Sequence, residues 1–192
     1  FDVFYHLLRD SMNEIGLPLT PDQYQDFFIG NVHQSIKNFV NNDKKYDVVM
    51  EFRNSNYDKY YNEESRKAKL FPEATRFLEE MSKDYILTIA SSGRIDNIKK
   101  LLEENGVLNL FSEILADTAT SKEGMLKEIM DKFKTVPEKT IMITDTVGDV
   151  KIAKELGLKT IAVTWGFHSK QLLQEVRPDH MANNFEHLAG II

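Results

Sequence analysis

Apolar side chains return every three or four positions through the first third of the chain. Phe4, Leu7, Leu8, Met12 and Ile15, with Ser11 among them, share one helical face, and the run stops at Gly16 with Pro18 beyond it. That spacing predicts an amphipathic helix. Thr20-Pro21-Asp22 places a hydroxyl N-cap before a proline and predicts a helix through Tyr24, Phe27, Phe28 and Ile29 to Gly30. Further helical pieces follow through Ile36, Phe39 and Val40, then from Val48 to Tyr61. The aromatics Tyr46, Phe52, Tyr57, Tyr60 and Tyr61 read as packing residues of a small helical bundle.

After Pro72 the pattern changes to an alternation of helix and strand. It predicts helix over Glu73–Met81, strand over Tyr85–Ala90, helix over Asp96–Glu104 and a short strand over Ser112–Ala116. Helix Lys122–Phe133, strand Thr140–Thr144, helix Gly148–Leu156, strand Thr160–Val163 and a last helix near Lys170–Val176 complete it. Short aliphatic strands separated by helices indicate βαβ units, hence an α/β fold with a parallel sheet covered on both faces. An all-helical domain precedes that core.

Composition narrows the chemistry. The 192 residues carry a net charge of −6, which argues against nucleic acid as a partner, because phosphate backbones call for clustered Lys and Arg. The chain has no Cys, so disulfide frameworks, zinc ribbons and thiolate catalysis are excluded. No apolar run approaches the roughly 18 residues of a membrane span, and no secretory apolar region appears. A cytoplasmic protein with no membrane partner, a monomer or homodimer, is the expectation.

In an open parallel sheet ligands bind at the carboxyl ends of the strands, so the residues after each strand carry the functional reading. Ser91-Ser92-Gly93-Arg94 follows the first strand and suits an anion cradle, or equally a serine-capped turn. Lys122 sits at the start of its helix, where a cation opposes the helix dipole and calls for an anionic partner, unless it is a solvated surface lysine. Thr120 and Glu123 have the spacing of a capping box there. After strand Thr140–Thr144 come Asp145 and Asp149, four apart. Paired carboxylates at a strand end repel unless a cation joins them, and hard oxygen ligands suit Mg²⁺; the plainer alternative is a helix cap and a turn. Hydroxyl, lysine and acid pair together could bind a phosphate, neutralise it and hold a metal against it.

At these residues the chain resembles the haloacid dehalogenase-like phosphohydrolase superfamily, in particular its phosphoglycolate phosphatase-like branch with a helical cap. Phe71-Pro72-Glu73-Ala74 is similar to the segment leading from cap to core, and ILTIASSGR (86–94) to the second motif, with Ser91 as the phosphate-binding hydroxyl. TSKEGMLKEIM (120–130) resembles the third motif, with Lys122 as its lysine, and IMITDTVGDVKIAKELGLKTIAVTWGFHS (141–169) the fourth motif and following strand. The resemblance implies a Rossmann-like three-layer core over residues 71–192 and a helical cap over residues 1–70. It also implies Mg²⁺-dependent hydrolysis of a small phosphorylated metabolite through an aspartyl-phosphate intermediate. Ser91, Lys122 and Asp149 would be catalytic, Ser91, Ser92 and Lys122 would bind the phosphate, and Asp145 and Asp149 would hold the metal.

Two departures stand out. Thr144 takes the place of the glycine that commonly precedes the first Asp of the fourth motif, and the first motif, D-x-D-G-T, is not matched at Phe1-Asp2. Phe1–Gly16 instead resembles the first cap helix. Either the nucleophile-bearing strand lies upstream of Phe1 or the protein is a non-catalytic phosphate- and metal-binding relative; the burial of a central strand favours the first. A phosphomutase would use the same machinery. A dehalogenase gives the Ser, Lys and Asp set no role, a phosphonatase needs a buried cap lysine that neither Lys44 nor Lys45 is marked to be, and a receiver domain leaves the helical third unexplained. Arg53, Asn54 and Asn56 lie in a polar stretch of the cap and could meet the substrate, though they read more simply as exposed cap residues; His168 could border the site but reads more simply as a packed or loop histidine, and Trp165 as core.

Overall fold

A computed structural model describes residues 2–64, 69–116 and 120–192. The chain divides into two units, one of residues 1–68 with 146–148, the other of residues 69–145 with 149–192.

The first unit is helical: α1 (Asp2–Asn13), α2 (Pro21–Asp26), α3 (Val32–Val40) and α4 (Asp43–Glu64). The expected face of α1 is inward, with Leu7, Leu8, Ser11 and Met12 buried against α4, whose Val49 is fully buried. Ser11 is tolerated there because its hydroxyl donates to the Leu8 carbonyl at 2.7 Å. Thr20 caps α2 as expected, in a reciprocal box with Gln23. The helix does not continue to Gly30, however: it tightens into a 3₁₀ turn at Phe27–Ile29. The predicted helix Val48–Tyr61 is part of a longer one. The Tyr60 hydroxyl donates to Asp10 Oδ2 at 2.6 Å and ties α4 to α1.

The second unit opens with α5 (Ala74–Met81) and β1 (Leu87–Ser91), then α6 (Ile95–Glu104), β2 (Phe111–Ala116) and α7 (Lys122–Phe133). It continues through β3 (Ile141–Thr144), α8 (Val147–Glu155), β4 (Lys159–Val163), α9 (Lys170–Glu175), β5 (His180–Ala182) and α10 (Phe185–Ile191). Tyr85 and Ile86, expected to begin the first strand, lie outside it and are exposed. The element pair β5 and α10 was not anticipated: three residues are too few to show a strand period, and α10 adds only two turns capped by Asn184.

All described strand pairs are parallel, in two sheets: β1 with β2, and β3-β4-β5 in that order. Helices cover both faces. On one, Phe77 of α5 and Leu188 of α10 pack on Ile161, Val163 and Ala182, with Ile141, Leu78 and Trp165 alongside. On the other, Leu126 and Met130 of α7 join Ala153 and Leu158, and this cluster takes in both Ala90 of β1 and Met142 of β3. Leu78 also packs with the cluster that contains Ile89 of β1. The same two helices, α5 and α7, therefore roof β1 and β3 although these two strands do not pair with each other. Among the described residues no helix is long and apolar enough to cross a membrane.

Candidate active site

The candidate residues sit where the strands of the second unit end. β3 finishes at Thr144, which is buried, and Asp145 follows it; Asp149 lies in the first turn of α8. Ser121, with its extended backbone, is the N-cap of α7 and accepts the Gly124 N–H at 3.1 Å, which makes Lys122 the first helical residue. This corrects the expected box between Thr120 and Glu123. The cap falls one residue later, where the third helical position is a glycine with no side chain to reciprocate, and Glu123 pairs instead with Lys127 along the helix.

Lys122 gathers the site. Its ammonium donates to the Ala90 carbonyl at the end of β1, at 2.7 Å, and lies 3.4 Å from Asp149 Oδ2. The Thr144 hydroxyl donates to that same Asp149 oxygen at 3.1 Å. The Lys122 and Asp149 side chains are 12% and 20% exposed, so the pair is screened less than a surface ion pair. The cation at a helix N-terminus thus has the anionic partner its position demands, and the surface-lysine alternative for Lys122 does not hold.

Asp145 is held by a different element. Its Oδ2 accepts the Phe167 N–H at 2.8 Å, and its carbonyl accepts the His168 N–H at 3.1 Å, both from the loop after β4. That loop approaches so closely that a Cβ on Gly166 would fall 2.2 Å from Asp145 Oδ2. His168 is buried beside Phe167, their rings edge-on at 5.0 Å. Gly166 and Phe167 were missed from the sequence. The available signal was a glycine directly after a core strand, a position that often marks close backbone approach.

Ser91 is half-buried, and its hydroxyl accepts the Gly93 N–H at 3.1 Å, which shapes the turn into α6. Ser92 is exposed. The N-cap of α6 is Arg94 and makes no side-chain capping bond, so neither serine caps the helix. Lys122, Asp149 and Thr144 are brought into direct contact; Ser91 adjoins them through Ala90, its neighbour in β1.

Among the described residues no group of three or more His, Asp or Glu side chains converges to hold a metal. The two residues expected to hold a metal, Asp145 and Asp149, offer only carboxylate oxygens. That suits a cation which keeps most of its waters and takes one or two protein carboxylates plus substrate phosphate, as Mg²⁺ does.

In the helical unit, Arg53 is half-buried rather than exposed. Burial pulls its guanidinium below the ordinary arginine value, opposed by the nearby hydroxyls of Tyr24, Tyr46 and Tyr57. Burial pushes the Tyr24 phenol upward. Asn54 is exposed, and Asn56 donates to the Phe52 carbonyl of its own helix.

Comparison with known proteins agrees with this layout. The phosphoglycolate phosphatase of Synechococcus elongatus is 34% identical over 113 residues, 58% of this chain and 53% of that enzyme, so the match spans about half its length. The phosphoglycolate phosphatase of Aliivibrio fischeri is 22% identical across 95% of this chain and 86% of its own. The crystal structure of a predicted phosphatase from Clostridium acetobutylicum superposes with a TM-score of 0.82 at 20% identity, over 99% of this chain and 90% of that one, which establishes the shared fold. The sequence profile described as haloacid dehalogenase-like hydrolase matches residues 1–163, and with a Rossmann-like α/β core following a helical N-terminal unit, the chain belongs to that family.

Proposed function

We propose that the protein is a Mg²⁺-dependent phosphomonoester hydrolase of the cytoplasm that acts on a small phosphorylated metabolite through an aspartyl-phosphate intermediate. The observation that carries this reading is the convergence of Lys122, Asp149, Thr144 and the Ala90 carbonyl beside Ser91, at the carboxyl ends of β1 and β3.

Each group has a role that its surroundings support. The Ser91 hydroxyl and the Ser92 N–H, at the start of a turn into a helix, bind phosphoryl oxygens. Lys122, fixed by two contacts, offsets the charge that grows on those oxygens, and because it is already oriented little reorganisation accompanies the reaction. Asp149 orients Lys122. Asp145 and Asp149 are the residues that would hold Mg²⁺, which when bound neutralises and aligns the phosphate.

The acceptor carboxylate belongs on a strand between β1 and β3. Among the described residues each of these strands pairs on one edge only, and α5 and α7 pack on both strands from opposite faces. A strand seated there ends beside Lys122, Ser91 and Asp145. Its carboxylate attacks phosphorus, the phosphorus–oxygen ester bond breaks, and the leaving alkoxide takes a proton from water to depart as the alcohol. Water then cleaves the acyl phosphate to inorganic phosphate and returns the carboxylate.

The names of the relatives put 2-phosphoglycolate first among substrates to try. The test is phosphate release by the full-length protein from a panel of small phosphomonoesters, with and without Mg²⁺. Metal-dependent release from at least one is expected; none from any would overturn the proposal.

A further inference from the structure

We infer that Thr144 is a positioning residue: its buried hydroxyl holds the Asp149 carboxylate in the orientation in which Asp149 serves the phosphoryl site. The inference rests on the phosphatase reading above for what Asp149 does, but not for how it is held.

A threonine at this place is not needed by the strand. Thr144 closes β3 and is buried, and a valine would fill the same volume with the same β-branched preference. The hydroxyl, however, must find a partner when buried, and it finds Asp149 Oδ2 at 3.1 Å. An aspartate's terminal torsion is broad and roughly two-fold, so an unrestrained carboxylate samples several orientations. Here Oδ2 receives the Thr144 hydroxyl from the strand and faces the Lys122 ammonium from α7. Two donors from two elements on one oxygen fix the carboxylate plane and set the direction of the other oxygen. A glycine at 144 offers no such donor, so the residue that departs from the family's usual pattern adds a tether of its own.

Lys122 alone is the weaker tether. Its contact with Asp149 is 3.4 Å, whereas it donates to the Ala90 carbonyl at 2.7 Å. Without Thr144, the Asp149 carboxylate is left with the longer of its two described tethers. Partners that orient a metal-ligating carboxylate change metal affinity or activity by about 10- to 100-fold when removed.

The experiment compares Thr144→Val, which removes the hydroxyl at constant shape, with Thr144→Ser, which keeps it, in the full-length protein. Thr144→Val should lower kcat by about tenfold with little change in KM and weaken Mg²⁺ binding, read by calorimetry, by a similar factor. Thr144→Ser should restore both. In chelator-treated protein, Thr144→Val should shift the urea midpoint, and that shift should disappear in an Asp149→Ala background, or in Asp149→Asn should the alanine variant not fold. Wild-type Mg²⁺ affinity in Thr144→Val, no rescue by Thr144→Ser, or a midpoint shift that persists without Asp149 would each overturn the inference. A wild type that neither hydrolyses any ester nor binds Mg²⁺ would sink the phosphatase reading instead. The metal-free cycle alone would then decide whether Thr144 holds Asp149.

Discussion

Gly166 and Asp145 share a space that admits only one of their possible Cβ-bearing neighbours: a methyl group on Gly166 would lie 2.2 Å from Asp145 Oδ2, the oxygen already bonded to the Phe167 N–H at 2.8 Å. Real Cβ atoms do not approach other heavy atoms that closely, so Gly166→Ala must move either the loop or the carboxylate. Displacing a positioned group by about 1 Å costs on the order of 10²-fold in rate. We expect Gly166→Ala to lose about two orders of magnitude in kcat/KM while its circular dichroism stays that of the wild type. Steady-state kinetics checks the first and spectroscopy the second.

Asp145 carries the metal reading most directly. Asp145→Asn keeps the shape and an oxygen that can accept from Phe167 but removes the negative charge. Activity should fall sharply and demand much higher Mg²⁺, and treatment of the wild type with a chelator should abolish turnover until Mg²⁺ is returned. Turnover that survives chelation would refute metal dependence.

Lys122→Ala and Lys122→Arg separate charge from fit. Alanine leaves the Ala90 carbonyl and Asp149 without their shared donor, which should cost about 1–2 kcal/mol of stability in addition to most of the activity. Arginine keeps the charge, yet its planar fork cannot place a single donor between Ala90 and Asp149, so activity should remain low while stability recovers in part. Urea unfolding and phosphate release on both variants make the comparison.

Acid sensitivity has a traceable source away from the site. Asp179 accepts from the Thr160 hydroxyl at 2.7 Å and from its N–H at 2.8 Å, and these bonds hold the Asp179 carboxyl below its ordinary value of 3.8. A carboxylate whose acidity is raised by folding contributes stability that is complete above that ordinary value and is lost as pH falls through the lower folded one. Asp10 adds to the same trend: burial pushes its carboxyl up, but the Tyr60 hydroxyl and Arg9 outweigh it and leave it lowered. Asp179→Asn should therefore narrow the stability gap between neutral pH and pH 3–4, measured by thermal unfolding across that range.

Local chemistry explains what was legible in the sequence. Thr20-Pro21 announced its helix because cap and proline are local signals, and most core strands appeared within a residue or two because their aliphatic runs are long enough to show. The α7 cap slipped by one because Thr120 and Ser121 both offer hydroxyls and only backbone geometry chooses between them. β5 hid because three residues carry no period. Arg53 differs from the expected exposed residue because tertiary packing, which its local polar stretch does not encode, leaves it half-buried; of the three tyrosines that interact with its charge, Tyr24 lies 29 residues away on another helix. In the site, Lys122, Ser91, Asp145 and Asp149 were visible as residue types at strand ends. What escaped was backbone, the Ala90 carbonyl and the main chain of Gly166 and Phe167, because a main-chain group has no letter of its own.

Among the described residues the edges of β1 and β3 that pair with no strand, roofed by α5 and α7, have a consequence for handling the molecule. An open strand edge is a receptor for any extended segment of matching length and apolarity. A separately supplied strand of that kind should therefore be taken up as a split protein takes up its complement.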